Sequence, residues 1–363
     1  MKSINKTIFT LLTGLLLINI ACLKEDDVMI DIPSLDGNIM APNLGGSNQA
    51  NQVWIDLSTQ ETQSNLRSDW DLGFYAGEEF RVILNYSSIM AAIQMPSNDI
   101  NELDQNDFQP IINQISQSAP LPPSYIDNIY GDYFNDGTAI DEISSIDEEN
   151  KVYLLKLGYE PFYGSVAPYT TNPTGIFRGY RKIRILRNDD NSYKVQFANL
   201  NETEYQEVIV EKDPNYHFTF FSFKDLSNPI IQPPKNDWDL CFTVFNNVIP
   251  ELGTYIFSDF VLNNSLSNVI SYEVIGDPLT LENQYNNFEA SDVNHSLFIE
   301  NDQTAIGSKW RETVSGTVST PKILGDRFYV IKDAEERLFK LRFISMLNEN
   351  NERGYPVFIY KEL

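Results

Sequence analysis

Alternation of apolar and polar residues at a period of two is the commonest pattern along the chain. In the segments 193–197 and 339–343, aromatic or aliphatic residues alternate with Lys, Gln or Arg. A period of two places the apolar set on one face of a β-strand, where it can be buried. Short polar segments at 188–192 and 333–337 separate these strands from preceding strand-like runs, as hairpin turns do. The pattern predicts an all-β fold that is predominantly antiparallel.

Evidence for helices is confined to one stretch. Residues 99–116 carry apolar side chains at helical spacing, but Pro110 interrupts them, and a proline inside a helix removes a backbone hydrogen bond. Residues 119–149 are punctuated by Pro, Asp and Gly and are predicted to form loops. We therefore expect few helices, all of them short.

A Trp-centred motif occurs twice. Residues 56–58 read Asp-Leu-Ser and residues 69–74 read Asp-Trp-Asp-Leu-Gly-Phe; residues 225–227 and 237–242 repeat both, with Cys in place of Gly. Recurrence of this hexamer with its upstream partner is difficult to explain by chance, so the sequence predicts an internal duplication. Each Trp alternates with a Leu, and both Trp70 and Trp238 are expected in the core.

A second pair of segments supports the duplication. Residues 179–185 and 325–331 share the pattern Gly-x-Arg-x-x-x-Ile, and each is followed by aromatic-Lys-aliphatic-x-Phe, at 193–197 and 339–343. Two copies suggest a duplicated domain or two related sheets rather than a repeat array. The predicted β halves are 52–212 and 213–363, related by a degenerate duplication.

The N-terminus has the pattern of a lipoprotein signal peptide. Lys2 and Lys6 precede a mostly apolar run over 8–20, which is shorter than the roughly 20 residues needed to span a bilayer. Ala21 is a small residue directly before Cys22, so cleavage would leave Cys22 as the lipidated N-terminus, although Asn19 departs from the usual aliphatic residue. The predicted signal peptide is 1–21. A soluble secreted protein cut near Ala21 and a signal anchor are the alternatives.

The segment 22–51 is predicted to be a flexible tether, because Pro, Gly, Asn and Ser recur in it. Its first residues after Cys22 read Leu-Lys-Glu-Asp-Asp and resemble the surface-export signal of Bacteroidota lipoproteins; an ordinary charged tether is the alternative. Together these features predict a protein that is lipid-anchored in the outer membrane and exposed at the cell surface.

Charge and cysteine content exclude several classes of function. The chain has 51 acidic against 26 basic residues and a formal net charge of -25, which opposes binding to the phosphates of nucleic acids. Two cysteines and two histidines are too few for a disulfide framework or a Cys/His-rich metal site. With Cys22 as the anchor, Cys241 would stay a free thiol, and its aromatic surroundings predict a core position. The sequence contains no nucleophile elbow, zinc motif or phosphate loop, so we expect no enzyme activity.

Several blocks of sequence resemble the HmuY-like haem-binding lipoproteins of Bacteroidota. The first block covers roughly 53–95 and includes Trp-Ile-Asp-Leu-Ser-Thr at 54–59, Ser-Asp-Trp-Asp-Leu-Gly-Phe-Tyr at 68–75 and Gly-Glu-Glu-Phe-Arg-Val-Ile-Leu-Asn at 77–85. The second covers roughly 305–363 and includes Arg-Gly-Tyr-Pro-Val-Phe-Ile-Tyr at 353–360. The resemblance implies an HmuY-like, almost all-β fold and a surface lipoprotein.

By the same resemblance, the protein is expected to bind haem and to pass it to a TonB-dependent outer-membrane transporter. The family holds haem between two axial side chains, which are His in the founding member and Met in some relatives. This chain departs from the founder because it is longer, through the duplication, and because His217 and His295 lie outside the matched blocks. A bis-His site is therefore not established.

Haem iron accepts imidazole, thioether or phenolate ligands, which selects a small set of candidates. Met90 and Met95 come first, because they follow a strand-like run and their small neighbours leave room for a flat macrocycle. His217 lies in an aromatic strand, and Tyr75 follows the first Trp motif, where its phenolate could reach iron. Core packing is the alternative role for Met90, Met95 and Tyr75, and a satisfied or exposed strand histidine is the alternative for His217. His295 lies in a polar turn and is expected to be exposed.

A different function shares most of this evidence. The chain could be a surface glycan- or protein-binding β module that has the fold but does not bind haem. The low histidine content and a surface rich in Asn and Tyr favour this alternative, since aromatic platforms bind sugars.

Overall fold

A computed structural model describes residues 37–117, 120–314 and 318–363 of the chain. These residues belong to one compact unit, Asp36–Leu363. The predicted signal peptide 1–21 and Cys22 lie outside the described residues. Within the described ranges, no helix has both the length and the apolar character that crossing a membrane requires.

Antiparallel strands make up most of the fold. The strands of the first part of the chain are β1 (Asn38–Met40), β2 (Asn51–Ile55), β3 (Thr62–Leu66), β4 (Leu72–Tyr75), β5 (Val82–Leu84), β6 (Ala91–Gln94), β7 (Val152–Lys156), β8 (Tyr180–Asp189), β9 (Ser192–Ala198) and β10 (Gln206–Glu211). Those that follow are β11 (Phe218–Phe221), β12 (Leu240–Ile249), β13 (Gly253–Asn263), β14 (Ile270–Ile275), β15 (Arg311–Glu312), β16 (Lys322–Ile323), β17 (Arg327–Lys332), β18 (Leu338–Leu347) and β19 (Arg353–Glu362). The α-helices of the described part are α1 (Gln105–Gln117) and α2 (Leu281–Asn287). The prediction of an all-β, predominantly antiparallel fold with few short helices is confirmed.

The strands form two large sheets of five strands each, two smaller sheets and one two-stranded pair. The large sheets have the orders β10-β9-β8-β7-β6 and β1-β19-β18-β17-β14. The smaller sheets have the orders β11-β4-β5 and β13-β12-β2-β3, and β15 pairs with β16. Each large sheet carries one helix: Phe108 of α1 packs in a cluster with Leu154 of β7, and Tyr285 of α2 packs against Phe328 of β17.

Strands of the two predicted halves cross over in the smaller sheets. β2 does not pair with β4 of its own half but with β12, in the register Ile55 to Leu240. β11 pairs reciprocally with β4, in the register Phe221 to Leu72. The strand that opens each half therefore completes the sheet of the other half.

Two aspartates hold this crossing. The Asp71 carboxylate accepts a hydrogen bond from the backbone N–H of Phe223 at 2.7 Å, and the Asp239 carboxylate accepts one from Leu57 at 2.8 Å. The Asp71 N–H donates to the Phe221 carbonyl and the Asp239 N–H to the Ile55 carbonyl. The two motifs thus make matching contacts, as the predicted duplication requires; the duplication itself stays a prediction.

Two asparagines outside the predicted motifs repeat this symmetry. The Asn85 side-chain amide donates to the carbonyls of Arg67 and Trp70, and that of Asn264 donates to the carbonyls of Lys235 and Trp238. Each asparagine therefore fixes the turn that carries its Trp. Trp70 and Trp238 are buried, and so is Cys241, as the sequence predicted.

The second pair of sequence segments does not occupy matching places. β8, which contains most of 179–185, is the central strand of its sheet, whereas β17 lies next to the edge strand β14. By position β8 matches β18, and their third residues, Lys182 and Lys340, are both buried. The amine of Lys340 donates to the carbonyls at the end of α2, including that of Tyr285 at 2.6 Å. The face of β18 that the sequence predicted to be polar is therefore covered by α2.

The predicted tether ends earlier than residue 51. β1 pairs with β19, in the register Asn38 to Tyr360, and Leu44 is fully buried. Gln49 is also buried, and its side-chain oxygen accepts a hydrogen bond from the Asp259 N–H at 2.8 Å. The boundary at 51 is wrong, because glycines and asparagines in this segment make tight turns within the folded unit rather than a free linker.

α1 continues through Pro110, where the sequence predicted an interruption. Pro110 is exposed, whereas Phe108 and Ile115 on the other side of the helix are buried. Burial of this apolar face stabilises the helix more than one missing backbone hydrogen bond destabilises it.

The two crossing aspartates differ in their charge partners, and this predicts unequal effects of substitution. Arg178 lies 2.7 Å from the Asp71 carboxylate, whereas no cation among the described residues pairs with Asp239, and burial raises the pKa of Asp239 to about 7. Asp71→Asn should lower the free energy of unfolding by about 2–4 kcal/mol, because it leaves a buried guanidinium without its nearest counter-charge. Asp239→Asn keeps the acceptor for Leu57 and should cost less than about 1 kcal/mol. Urea unfolding at neutral pH measures both changes in the free energy of unfolding. Equal losses in the two variants would show that the Arg178–Asp71 ion pair contributes nothing to stability.

Candidate functional site

His217 lies directly before β11, in the interior. Its Nε2 is 2.8 Å from the Ser267 Oγ, and only 8% of the residue is exposed. Burial, together with the charge of Lys235, lowers the pKa of His217 to about 4, so the imidazole is neutral at neutral pH. His217 borders a cavity of about 40 Å³, which is large enough for water but not for a cofactor.

Tyr75 ends β4 as a half-buried packing residue. Its ring lies 4.8 Å from that of Phe134 and 5.8 Å from that of Phe218, between centroids. Burial, followed by the negative charges of Glu79 and Glu78, raises the pKa of the Tyr75 phenol. Its ring is held by this aromatic packing, and Tyr75 does not line the cavity that His217 borders.

Met90 and Met95 flank β6 and point to opposite faces of its sheet. Met90 is 1% exposed and packs with Leu84 and Leu155, whereas Met95 is 4% exposed and packs with Phe108. Side chains an odd number of residues apart on a strand lie on different faces, so these two sulfurs do not converge on one iron. Met90 borders a cavity of only about 20 Å³.

The predicted ligands are therefore not brought together in one site. The cavities beside Met90 and His217 share Tyr86, Tyr133 and Gln303 in their walls. Both cavities are far smaller than the roughly 300–1,000 Å³ of typical ligand pockets. His295 lies on the surface, as expected.

A groove of about 960 Å³ is a ligand-sized feature of the structure. We call it the aromatic groove. The residues that line it are Ile89, Ile115, Ser116, Pro120, Leu121, Lys156, Tyr159, Thr171, Asn172, Pro173, Thr174, Phe177, Tyr180, Asn246, Leu252, Thr254, Tyr255, Ile256 and Ser258.

The floor of the aromatic groove is the end of a sheet that α1 leaves uncovered. Val152 and Leu154 of β7 are buried in the cluster that contains α1, and Lys156 continues the same face of the strand. Lys156 pairs with Tyr180 of β8 on one side and with Ala91 of β6 on the other. Cross-strand partners share a face, so Lys156 and Tyr180 lie side by side next to a small alanine.

Aromatic rings form a continuous row along this floor. The Phe177 ring lies between those of Tyr159 and Tyr180, with centroid distances of 5.5 and 5.1 Å. Burial and the neighbouring Tyr159 raise the pKa of the Tyr180 phenol. Tyr255, 56% exposed, lines the groove from the β13 side.

The groove has a volume suited to haem and side chains that iron accepts as ligands, whereas the four predicted residues do not share a cavity of that size. Its volume lies at the upper end of the ligand-pocket range, and its lining is mainly apolar or aromatic. Tyr159, Tyr180 and Tyr255 supply phenol oxygens, a ligand type that haem iron accepts. If haem binds this protein, these residues and Lys156 are the ones that would hold it.

Sequence reasoning missed this groove. A weak signal was present in 159–177, where aromatic residues recur among Pro, Gly, Thr and Asn. Loops of that composition with repeated aromatics often carry binding residues. The pairing of Lys156 with Tyr180 depends on strand register and could not be read from either segment alone.

The fold and the groove together define an antiparallel β protein with a ligand-sized aromatic cleft. The chain belongs to the HmuY family: the family model described as HmuY protein matches residues 48–360. A solved structure of a candidate lipoprotein from Bacteroides fragilis is similar over 48% of this chain and 91% of that chain, with 15% identity and a TM-score of 0.21. No curated protein matches the chain.

The low pKa of His217 predicts a specific loss of stability in acid. Its folded-state pKa, about 4, lies below the ordinary value of 6.5, so the unfolded chain takes up the proton first as the pH falls. The contribution of the neutral His217 to the free energy of unfolding is therefore complete above pH 6.5. It is lost between pH 6.5 and 4, by up to about 3 kcal/mol. His217→Gln cannot take up this proton, so its stability relative to wild type should rise between pH 7.5 and 4.5 in urea unfolding. An unchanged difference would contradict the assignment.

The positions of the two methionines predict that neither binds iron. Met90→Leu and Met95→Leu conserve volume and should each cost less than about 1.5 kcal/mol, whereas Met90→Ala should cost about 2–5 kcal/mol. Both Leu variants should retain any absorbance change that hemin produces with wild type. Loss of that change in Met90→Leu, with normal thermal unfolding, would place a ligand at Met90.

Proposed function

We propose that this chain is a lipoprotein of the cell envelope that binds haem in the aromatic groove. We further propose that it is anchored through Cys22 at the surface of the outer membrane and passes haem to a TonB-dependent transporter. Membership of the HmuY family supports the haem-uptake role. The observation that carries the haem proposal is a groove of about 960 Å³ with a row of aromatic rings along its floor.

The chemistry of the groove suits a flat, apolar cofactor. Bound ferric haem would supply an iron centre that accepts a phenolate oxygen. Tyr159 and Tyr180 present phenols next to Phe177, whose ring offers an apolar surface for stacking. These side chains would bind and orient the macrocycle, and the apolar lining would exclude water from it.

Anchoring at the membrane rests on the N-terminal sequence. An apolar run over 8–20 ends at Ala21 and Cys22, and acidic residues follow after Lys24. This order of basic, apolar and small residues is that of a secretory signal, and the cysteine is the position that lipid would occupy.

The contact between His217 and Ser267 favours a binding protein over an enzyme. Ser267 and His217 are hydrogen-bonded, but both are buried, and a histidine with a pKa of about 4 is a poor general base near pH 7. Among the described residues, no group of three His, Cys, Asp or Glu side chains is placed to hold a metal ion.

Glycan binding is the second candidate, and it would use the same groove. Thr171, Asn172 and Thr174 supply polar groups beside the exposed ring of Tyr255. Polar side chains next to an aromatic platform suit a sugar, whose faces are apolar and whose edges form hydrogen bonds.

Titration of the purified protein with hemin tests the proposal. We expect a saturable Soret shift and a phenolate-to-iron charge-transfer band in the ferric state. Tyr159→Phe combined with Tyr180→Phe should abolish that band and weaken binding at least tenfold, because two oxygen donors are lost while ring stacking remains. Tyr75→Phe is the matched control and should behave as wild type, since Tyr75 lies outside the groove.

Far-UV circular dichroism should be the same for all of these variants. A protein that gives no Soret shift with ferric or ferrous haem would overturn the haem proposal. Hits on a glycan array that are lost in Tyr255→Ala would then support the second candidate.

A further inference from the structure

The charge of the aromatic groove differs from that of the rest of the protein. The chain carries a formal net charge of -25, yet the groove is lined by no carboxylate among the described residues. Lys156 is the one charged side chain in that lining. An otherwise acidic protein thus presents a cation, without a competing anion, in its ligand-sized cleft.

Lys156 also differs from Lys182 and Lys212, two lysines whose pKa burial lowers as well. The amine of Lys182 donates to the carbonyls of Ile100 and Leu103 at 2.9 and 2.6 Å, and that of Lys212 donates to Gly77 at 2.6 Å. Within the described part of the chain, the Lys156 amine has no hydrogen-bond acceptor and no carboxylate partner. It lies over the face of the Tyr159 ring, 5.8 Å from the ring centroid.

An ammonium group in this position retains unused binding capacity. Burial lowers the pKa of Lys156, and no neighbouring anion raises it again. A partly desolvated cation binds an anion more strongly than an exposed one does, because less water screens the pair.

We propose that Lys156 binds a carboxylate of the ligand in the aromatic groove, which for haem is a propionate. The inference rests on the proposed function and specifies the class of ligand: a flat apolar body that carries an anionic group at its edge. The aromatic row of Tyr159, Phe177 and Tyr180 contacts the body, and Lys156, beside Tyr180, contacts the charged edge.

Hemin and its dimethyl ester separate these two contacts. Both have the same macrocycle and iron, but the ester has no carboxylates. The full-length protein in detergent should bind hemin about tenfold more tightly than the ester, as followed by Soret titration. Lys156→Met keeps the apolar stem and should remove this preference by weakening hemin binding about tenfold while leaving ester binding unchanged. Lys156→Arg should restore most of the preference.

Lys322→Met is the control for net charge, because Lys322 is exposed, lies outside the groove and pairs with Glu312. It should keep the wild-type preference, and circular dichroism should show that all variants are folded. Equal affinity of wild type for hemin and ester, or equal weakening of both by Lys156→Met, would overturn the role of Lys156 and leave haem binding intact. No Soret shift with hemin in wild type would overturn the proposed function, and this inference with it.

Discussion

The architecture depends on two buried carboxylates, each of which accepts a hydrogen bond from the backbone of the other half of the chain. Asp71 holds the chain just after β11, and Asp239 holds it just after β2. Each therefore anchors a strand that comes from the other half of the sequence. The first half folded alone would lack one strand of its small sheet, the second half would lack two, and each would expose an edge that needs a partner. This is why residues 36–363 form one compact unit rather than two.

The crossing also brings together the walls of the aromatic groove. The floor of the aromatic groove comes from β7 and β8, whereas Tyr255 and its neighbours come from the β12–β13 hairpin. Because β2 pairs with β12, that hairpin belongs to the same folded body as the strands of the first half. The groove therefore contains residues of both halves, and neither half has a complete site by itself. Its single cation then decides which ligands are compatible with an acidic protein.

Part of the site could have been predicted more sharply. Met90 and Met95 are an odd number of residues apart on one strand, which already places them on opposite faces. Lys156 ends the apolar run 152–155 and resembles any exposed lysine at a strand terminus; its place beside Tyr180 in the aromatic groove sets it apart. Gln49 and Leu44 were assigned to a tether because their neighbours are turn formers, and turn composition does not distinguish a free linker from a loop that packs.

Local pattern determined the class of fold, the burial of Trp70, Trp238 and Cys241, and the family to which the chain belongs, because these depend on residue type and on a period of two. Tertiary structure decided which strands pair across the halves and where α1 stops covering its sheet. It also decided that Lys156 has no hydrogen-bond acceptor among the described residues. Each of these is set by contacts between residues far apart in sequence, and the energy of such contacts is not encoded in either segment alone.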